Sequence, residues 1–150
     1  MSGPPPAAAT GTRVRRARIE EIRPLAEAYA REAAAEAPDG QPYDAPLPQG
    51  GIFWIAEDVD GSPIGYTAGT LRPTGCVVGP VYVVSAARRR GVGEALILAV
   101  QHWAENTRVP VVEISVAADN TTGQSFLEAL GYRPRRILMN RPALAAGATT

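Results

Sequence analysis

The chain has 150 residues, of which 45% are hydrophobic and 20% charged, and these values predict one ordinary globular domain. Fifteen basic residues balance fifteen acidic ones, which argues against a nucleic-acid or membrane-surface binder, because such proteins usually carry a basic excess. The single Cys76 excludes an intrachain disulfide and a cysteine zinc cluster, and the single His102 excludes a histidine-rich metal site. We expect Cys76 to be a buried free thiol rather than a nucleophile, and His102 to be a structural or surface residue. No apolar run approaches the roughly 18 residues of a membrane span, and no signal-peptide pattern begins the chain, so we expect a cytoplasmic protein.

The hydrophobic pattern predicts alternating strands and helices between two loose tails. Residues 1–12 and 143–150 have the composition of flexible tails, so the expected domain is 13–142. The predicted elements, in chain order, are a strand at Arg13–Ala17, a helix over 20–35, strands at Ile52–Glu57, 64–71 and 77–84, a helix over 93–106, a strand at 111–116, a helix from Asn120 or Thr121 to Leu130, and a strand at 133–140. Asp60-Gly61 predicts a hairpin turn, and this order predicts a layered α/β protein with a mixed sheet.

A basic turn that contains glycine joins the strand at 77–84 to the following helix. Gly91 and Gly93 let the backbone approach a ligand closely, and the first helical turn offers unpaired N–H groups. These features favour a pyrophosphate site, to which Arg88, Arg89 and Arg90 add positive charge. On the residues alone, a tight turn with solvated arginines is an equal alternative.

Two motifs at a matching separation carry a family resemblance. Residues 88–93, Arg-Arg-Arg-Gly-Val-Gly, resemble the Arg/Gln-x-x-Gly-x-Gly/Ala motif of GNAT-type N-acetyltransferases. Asn120 followed by Phe-Leu-Glu-Ala-Leu-Gly-Tyr at 126–132 resembles the family's downstream Asn and Phe-Tyr-Glu-x-Leu-Gly-Phe segment. The resemblance covers about 13–142 and implies a single-domain α-β-α fold with a central mixed, mostly antiparallel sheet.

The resemblance also implies a co-substrate and the residues that hold it. It implies acetyl-CoA, or another acyl-CoA, as the donor and no metal. The implied cofactor-binding residues are the strand residues Val81, Tyr82 and Val83 for the pantetheine arm, Arg88, Arg89, Arg90, Gly91, Val92 and Gly93 for the pyrophosphate, and Asn120 near the pantetheine.

Pro80 lies inside an apolar strand and predicts either a bulge or the start of the strand. The resemblance favours the bulge, since family members carry one where two strands separate to admit the cofactor. A bulge also frees a backbone N–H that can stabilise an oxyanion.

The chain departs from the family at the usual general acid. Leu127 stands where many members carry the tyrosine that protonates the leaving sulfur. Tyr82, on the motif strand, is the candidate replacement, and its alternative interpretation is a packed sheet aromatic. Coenzyme A thiolate leaves readily enough that an acid is not obligatory, because thiol pKa values are about 8–9.

Glu113 is the candidate general base. It alternates with Val112 and Ile114, so its side chain is predicted on the face opposite the apolar set. The alternative is an ordinary solvated carboxylate. Tyr43 and Asp44, in the proline-rich stretch 38–51, are candidate contacts for a protonated amine, the alternative being a plain surface loop.

The sequence therefore predicts an N-acetyltransferase that moves an acetyl group to a primary amine by direct attack in a ternary complex, because the chain offers no activated nucleophile. A non-catalytic acyl-CoA-binding domain of the same fold stays open, since Leu127 replaces the usual acid. We expect a small-molecule or peptide amine acceptor, no nucleic acid and no membrane partner. An exposed sheet edge permits a homodimer.

Overall fold

The computed structural model describes residues 11–36, 47–139, 141 and 143. They fall into two compact units, 1–115 and 116–150, which are treated separately below. Most of the predicted tails, together with Tyr43 and Asp44, lie outside the described residues, so the division into a domain and two tails stays a prediction.

The first unit is a five-stranded sheet with two helices. Its elements are β1 (Arg13–Ala17), α1 (Ile19–Glu36), β2 (Ile52–Glu57), β3 (Pro63–Arg72), β4 (Gly75–Val83), α2 (Val92–Thr107) and β5 (Val112–Ile114). The strands stand in chain order, antiparallel from β1 to β4, and β5 is parallel to β4. This is the predicted mixed, mostly antiparallel sheet.

The two helices cover opposite faces of the sheet because side chains alternate along each strand. Ile52, Trp54 and Ala56 of β2 pack in one apolar cluster with α2, whose Leu96 and Val100 are fully buried. The intervening β2 residues, Phe53 and Ile55, pack in a second cluster with Ile22 and Leu25 of α1. The α-β-α layering follows, and the predicted fold class is confirmed.

The second unit contains α3 (Thr121–Ala129). The Asn120 side chain caps α3, accepting a hydrogen bond from the Gly123 N–H at 2.9 Å. The helix stops where predicted, with Gly131 at φ 98° and the Tyr132 N–H bonded to the Leu127 carbonyl at 3.0 Å.

The strand predicted at 133–140 is wrong for its described part, residues 133–139, which form no strand. The apolar run Ile137, Leu138 and Met139 produced the prediction, and these side chains are at least 85% exposed. An apolar run becomes a strand only when its backbone pairs with a neighbouring edge, and sequence pattern alone does not supply that edge.

An ion-pair cluster joins β1, α1 and β2. The Arg15 guanidinium contacts Glu21 at 2.8 Å and Glu57 at 2.9 Å. The hydrogen bond from Arg15, together with one from the Arg18 N–H, lowers the pKa of Glu21 from 4.5 to about 2.

This depressed pKa predicts an acid-dependent contribution to stability. A carboxyl with a lowered folded-state pKa stabilises the fold above its ordinary pKa of 4.5, and the contribution disappears as the pH falls towards about 2. Chemical denaturation of Glu21→Gln should therefore give a weaker pH dependence than the wild type between these values. Glu20→Gln, at the exposed neighbouring position, is the control, and parallel pH curves for the wild type and Glu21→Gln would refute the linkage.

Candidate functional site

β4 contains a bulge at the predicted proline. Val78 is opposite Gly69 and Val81 is opposite Thr67, so Gly79 and Pro80 together face one residue of β3. The Pro80 carbonyl accepts a hydrogen bond from the buried Thr67 hydroxyl at 2.8 Å. Because β4 begins at Gly75, Pro80 does not start the strand, and the prediction of a bulge is confirmed.

Beyond the bulge, β4 has an open edge on the side away from β3. β5 pairs only with Cys76–Val78 and is therefore shorter than the strand predicted at 111–116. No other described strand pairs with this side of β4. The Val84 N–H bonds to the Ile64 carbonyl at 2.9 Å. By antiparallel alternation, Val81 and Val83 then direct their backbone groups away from β3, towards the opening. This edge can bind an extended chain of amides.

The loop that follows β4 forms an anion cradle. Arg89 and Gly91 have left-handed backbones, with φ 63° and 78°, and α2 begins at Val92 without a side-chain cap. The N–H groups of the first turn are therefore available to a ligand. A Cβ on Gly91 would find only a Glu94 oxygen, 4.0 Å away.

An open pocket of about 260 Å³ lies against this loop. Its lining consists of Val83, Ala87, Arg88, Arg89, Gly91, Val92, Gly93 and Glu94. The strand edge can bind the amides of a pantetheine arm, and the anion cradle that follows it can bind the attached pyrophosphate.

The three loop arginines have different surroundings. Arg88 pairs with Glu32 of α1 at 2.7 Å, and Arg90 approaches Asp58 of the β2–β3 turn at 3.7 Å. Arg89 has no acidic partner among the residues described. The sequence pattern predicted one basic patch of three arginines, whereas in the structure Arg89 has the fewest side-chain contacts with acidic residues.

Tyr82 projects from β4 towards α1 and is 5% exposed. Its ring packs between Tyr29 and Tyr66, with centroid distances of 5.4 and 6.0 Å, and its hydroxyl donates to the Glu32 carboxylate. Burial, with Glu32 as a further cause, raises the pKa of Tyr82 to about 12. The contacts match the packed-aromatic interpretation, and the acid role stays a prediction.

Glu113 lies on the α1 face of the sheet, as predicted, because Val112 and Ile114 pack on the α2 side. Its Cα partner is Val77, on the far side of the bulge from Tyr82. Tyr82 is five positions along β4 from Val77, roughly 16 Å of extended strand. The two catalytic candidates therefore share a face but do not meet.

The remaining single-residue predictions concern Cys76, His102 and Asn120. Cys76 is 1% exposed and burial raises the pKa of its thiol, which confirms a buried free cysteine rather than a nucleophile. His102 bonds to Asn106 one turn along α2, as expected of a structural or surface residue. The contact of Asn120 with pantetheine stays a prediction.

Glu32 is the site residue that the sequence analysis missed. Ile22, Leu25 and Tyr29 form the α1 stripe that packs on the sheet, and position 32 continues the same helical spacing. A carboxylate in line with an apolar stripe was the signal available. It indicates a charged partner on the facing element.

Over the described part of the chain, no helix is long and apolar enough to cross a membrane. Within the same residues, no three His, Cys, Asp or Glu side chains gather as metal ligands.

Comparison with known proteins identifies acetyltransferases that are similar to this chain. The model of the Acetyltransferase (GNAT) family matches residues 19–132. The aminoglycoside N(6')-acetyltransferase type 1 of Salmonella typhimurium is 31% identical over 119 residues, 68% of this chain and 82% of that protein. The protein of the same name from Klebsiella aerogenes is 43% identical over 86 residues, 52% of this chain and 57% of its own length.

Solved structures agree on the fold. A putative acetyl transferase from Pyrococcus furiosus has a TM-score of 0.64 at 19% identity, covering 87% of this chain and 99% of its own. AAC(6')-Iy, in complex with the bisubstrate analog CoA-S-monomethyl-acetylneamine, has a TM-score of 0.58 at 20% identity, covering 87% and 97%. The family match and the sequence relatives support an acetyl-CoA-dependent N-acetyltransferase activity. The chain belongs to the GNAT family of acetyltransferases.

Proposed function

We propose that the protein transfers the acetyl group of acetyl-CoA directly to a primary amine of a small cationic acceptor of the aminoglycoside class. The observation that carries the proposal is the open edge of β4, which runs into the anion cradle before α2. The acceptor class rests on the similarity to two aminoglycoside N(6')-acetyltransferases.

In this proposal, the backbone of β4 and the following loop hold the donor. Val81 and the Val83 N–H bind the pantetheine amides, while Arg89 and the N–H groups of residues 91–93 bind the pyrophosphate. Proline has no N–H, so Val81 is the first residue after the bulge that offers an outward donor. Its N–H is the candidate group that stabilises the oxyanion.

Glu113 takes the proton of the attacking amine, directly or through water, in this scheme. The amine nitrogen forms a bond to the acetyl carbon, the bond from that carbon to sulfur breaks, and coenzyme A leaves as a thiolate. The scheme uses no acyl-enzyme on cysteine or lysine, because the only cysteine is buried and the chain contains no lysine. The proposed acceptor face is the one that carries Glu113, opposite α2.

Tyr82 as the acid, Asn120 as a pantetheine contact, and Tyr43 and Asp44 as acceptor contacts stay predictions. So do the cytoplasmic location and the homodimer.

A calorimetric titration with acetyl-CoA, followed by a thiol-release assay with an acceptor panel, tests the proposal. We expect acetyl-CoA to bind with micromolar affinity. We expect thiol release to be faster with aminoglycosides than with a peptide N-terminus or a monoamine that carries no other charged group. Failure to bind acetyl-CoA would refute the donor assignment. Binding with the fastest turnover on the peptide would refute the acceptor class.

A further inference from the structure

We propose that Glu32 is a positioning residue for acetyl-CoA binding, which holds Arg88 as the anchor of the cradle loop rather than as a ligand of the pyrophosphate. The inference rests on the proposed function and deepens it. It assigns the three loop arginines different roles, although the sequence motif does not distinguish between them.

The Arg88 side chain turns back from the loop towards the sheet and α1. Its Nε donates to the Val83 carbonyl at 2.9 Å, and its Nη2 donates to Glu32 at 2.7 Å. Its guanidinium also lies 5.9 Å from the centroid of the Tyr82 ring. All of these contacts lie on the β4 and α1 side of the loop.

Glu32 is itself fixed at two points. One carboxylate oxygen accepts from Arg88 and the other accepts from the Tyr82 hydroxyl. Both hydrogen bonds lower the pKa of Glu32, so the carboxylate stays charged at neutral pH. Tyr82 is buried in the sheet, so the carboxylate connects the loop to a rigid part of the first unit.

Arg88, as the anchor, stabilises the conformation of the loop. Arg89, the residue directly after Arg88, has a left-handed backbone at φ 63°, which is costly for a residue with a Cβ. Such a conformation persists only when its surroundings hold it. Arg88 fixes the chain immediately before this strained residue, and thus keeps the cradle in its binding geometry.

The direction of the Glu32→Gln effect separates an anchor from a ligand. If Arg88 bound the pyrophosphate, removal of the Glu32 charge would free a cation and tighten binding. If Arg88 is an anchor, its release loosens the loop and weakens binding. We therefore expect Glu32→Gln and Arg88→Gln to change the affinity for coenzyme A in the same direction.

The experiment is a double-mutant cycle of Glu32→Gln and Arg88→Gln, with coenzyme A titrations and initial rates. We expect each single variant to raise both the Kd of coenzyme A and the KM of acetyl-CoA about three- to five-fold, the range of a partly exposed ion pair. We expect KM to change more than kcat, because neither residue touches the reacting atoms. The double variant should be no weaker than Arg88→Gln alone.

A readout without coenzyme A keeps the inference separate from the proposed function. Trypsin cuts after arginine, so cleavage at positions 88–90 reports how firmly the loop is held. We expect faster cleavage in Glu32→Gln than in Glu27→Gln, a control at an exposed position of the same helix. If the wild type bound no coenzyme A while Glu32→Gln accelerated cleavage, the proposed function would fail and the anchor would stand.

Two outcomes would overturn the anchor. One is tighter coenzyme A binding by Glu32→Gln beside weaker binding by Arg88→Gln, which makes Arg88 a phosphate ligand. The other is unchanged cleavage of Glu32→Gln relative to Glu27→Gln.

Discussion

Replacement of Gly91 by tryptophan is expected to weaken acetyl-CoA binding at least about 100-fold, the loss of one or two hydrogen bonds to a charged group. Gly91 stands at the entrance of α2 with φ 78°, and almost nothing lies near the position of its missing Cβ. An indole there would fill the cradle that the backbone N–H groups line. Calorimetric titration of the variant with acetyl-CoA measures the effect.

Gly50 provides a matched control for the backbone. It has φ 71° and nothing within 4 Å of its missing Cβ, and it precedes the end of β2 that is remote from the loop. Gly50→Trp should lose similar stability, about 1–2 kcal/mol for a left-handed residue with a side chain, and keep its affinity for acetyl-CoA. Equal loss of affinity in both variants would mean that Gly91→Trp acts through stability, and the cradle assignment would fail.

Local patterns predicted the sheet because each strand carries its own signal. The predicted bounds of β1 and β2 match at both ends, and the Asp60-Gly61 turn forms with Gly61 at φ 84°. Pro80 predicted the bulge for a local reason as well, since a residue without an N–H disturbs a ladder wherever it stands. The bulge also explains why β5 ends earlier than predicted, since β5 pairs with β4 only on the near side of the bulge.

The missed features depend on which elements meet. Nothing in the motif shows that Arg88 faces α1 while Arg89 does not, because that difference arises from the packing of α1 on the sheet. Glu32 is 56 residues from Arg88, so only the folded chain brings them together. The strand expected at 133–140 failed for the same reason, as its apolar residues fix no pairing edge.

Glu113→Gln is expected to lower kcat for an alkylamine acceptor about 100-fold, the lower end of the contribution of a general base. The amide keeps the size of the side chain and removes its ability to take a proton. Because Glu113 lies on the α1 face, away from the cradle loop, the KM of acetyl-CoA should change little. Initial rates at saturating acetyl-CoA give both parameters.

A second acceptor separates a base from a structural carboxylate. A hydrazide is already unprotonated at neutral pH, so its attack depends less on the enzyme's base, and Glu113→Gln should impair it less than the alkylamine. Glu128→Gln, at an exposed position on α3, should leave both rates unchanged. Equal losses for the two acceptors in Glu113→Gln would show that the carboxylate shapes the site without taking the proton. The base would then have to be sought among other groups on the same face of the sheet.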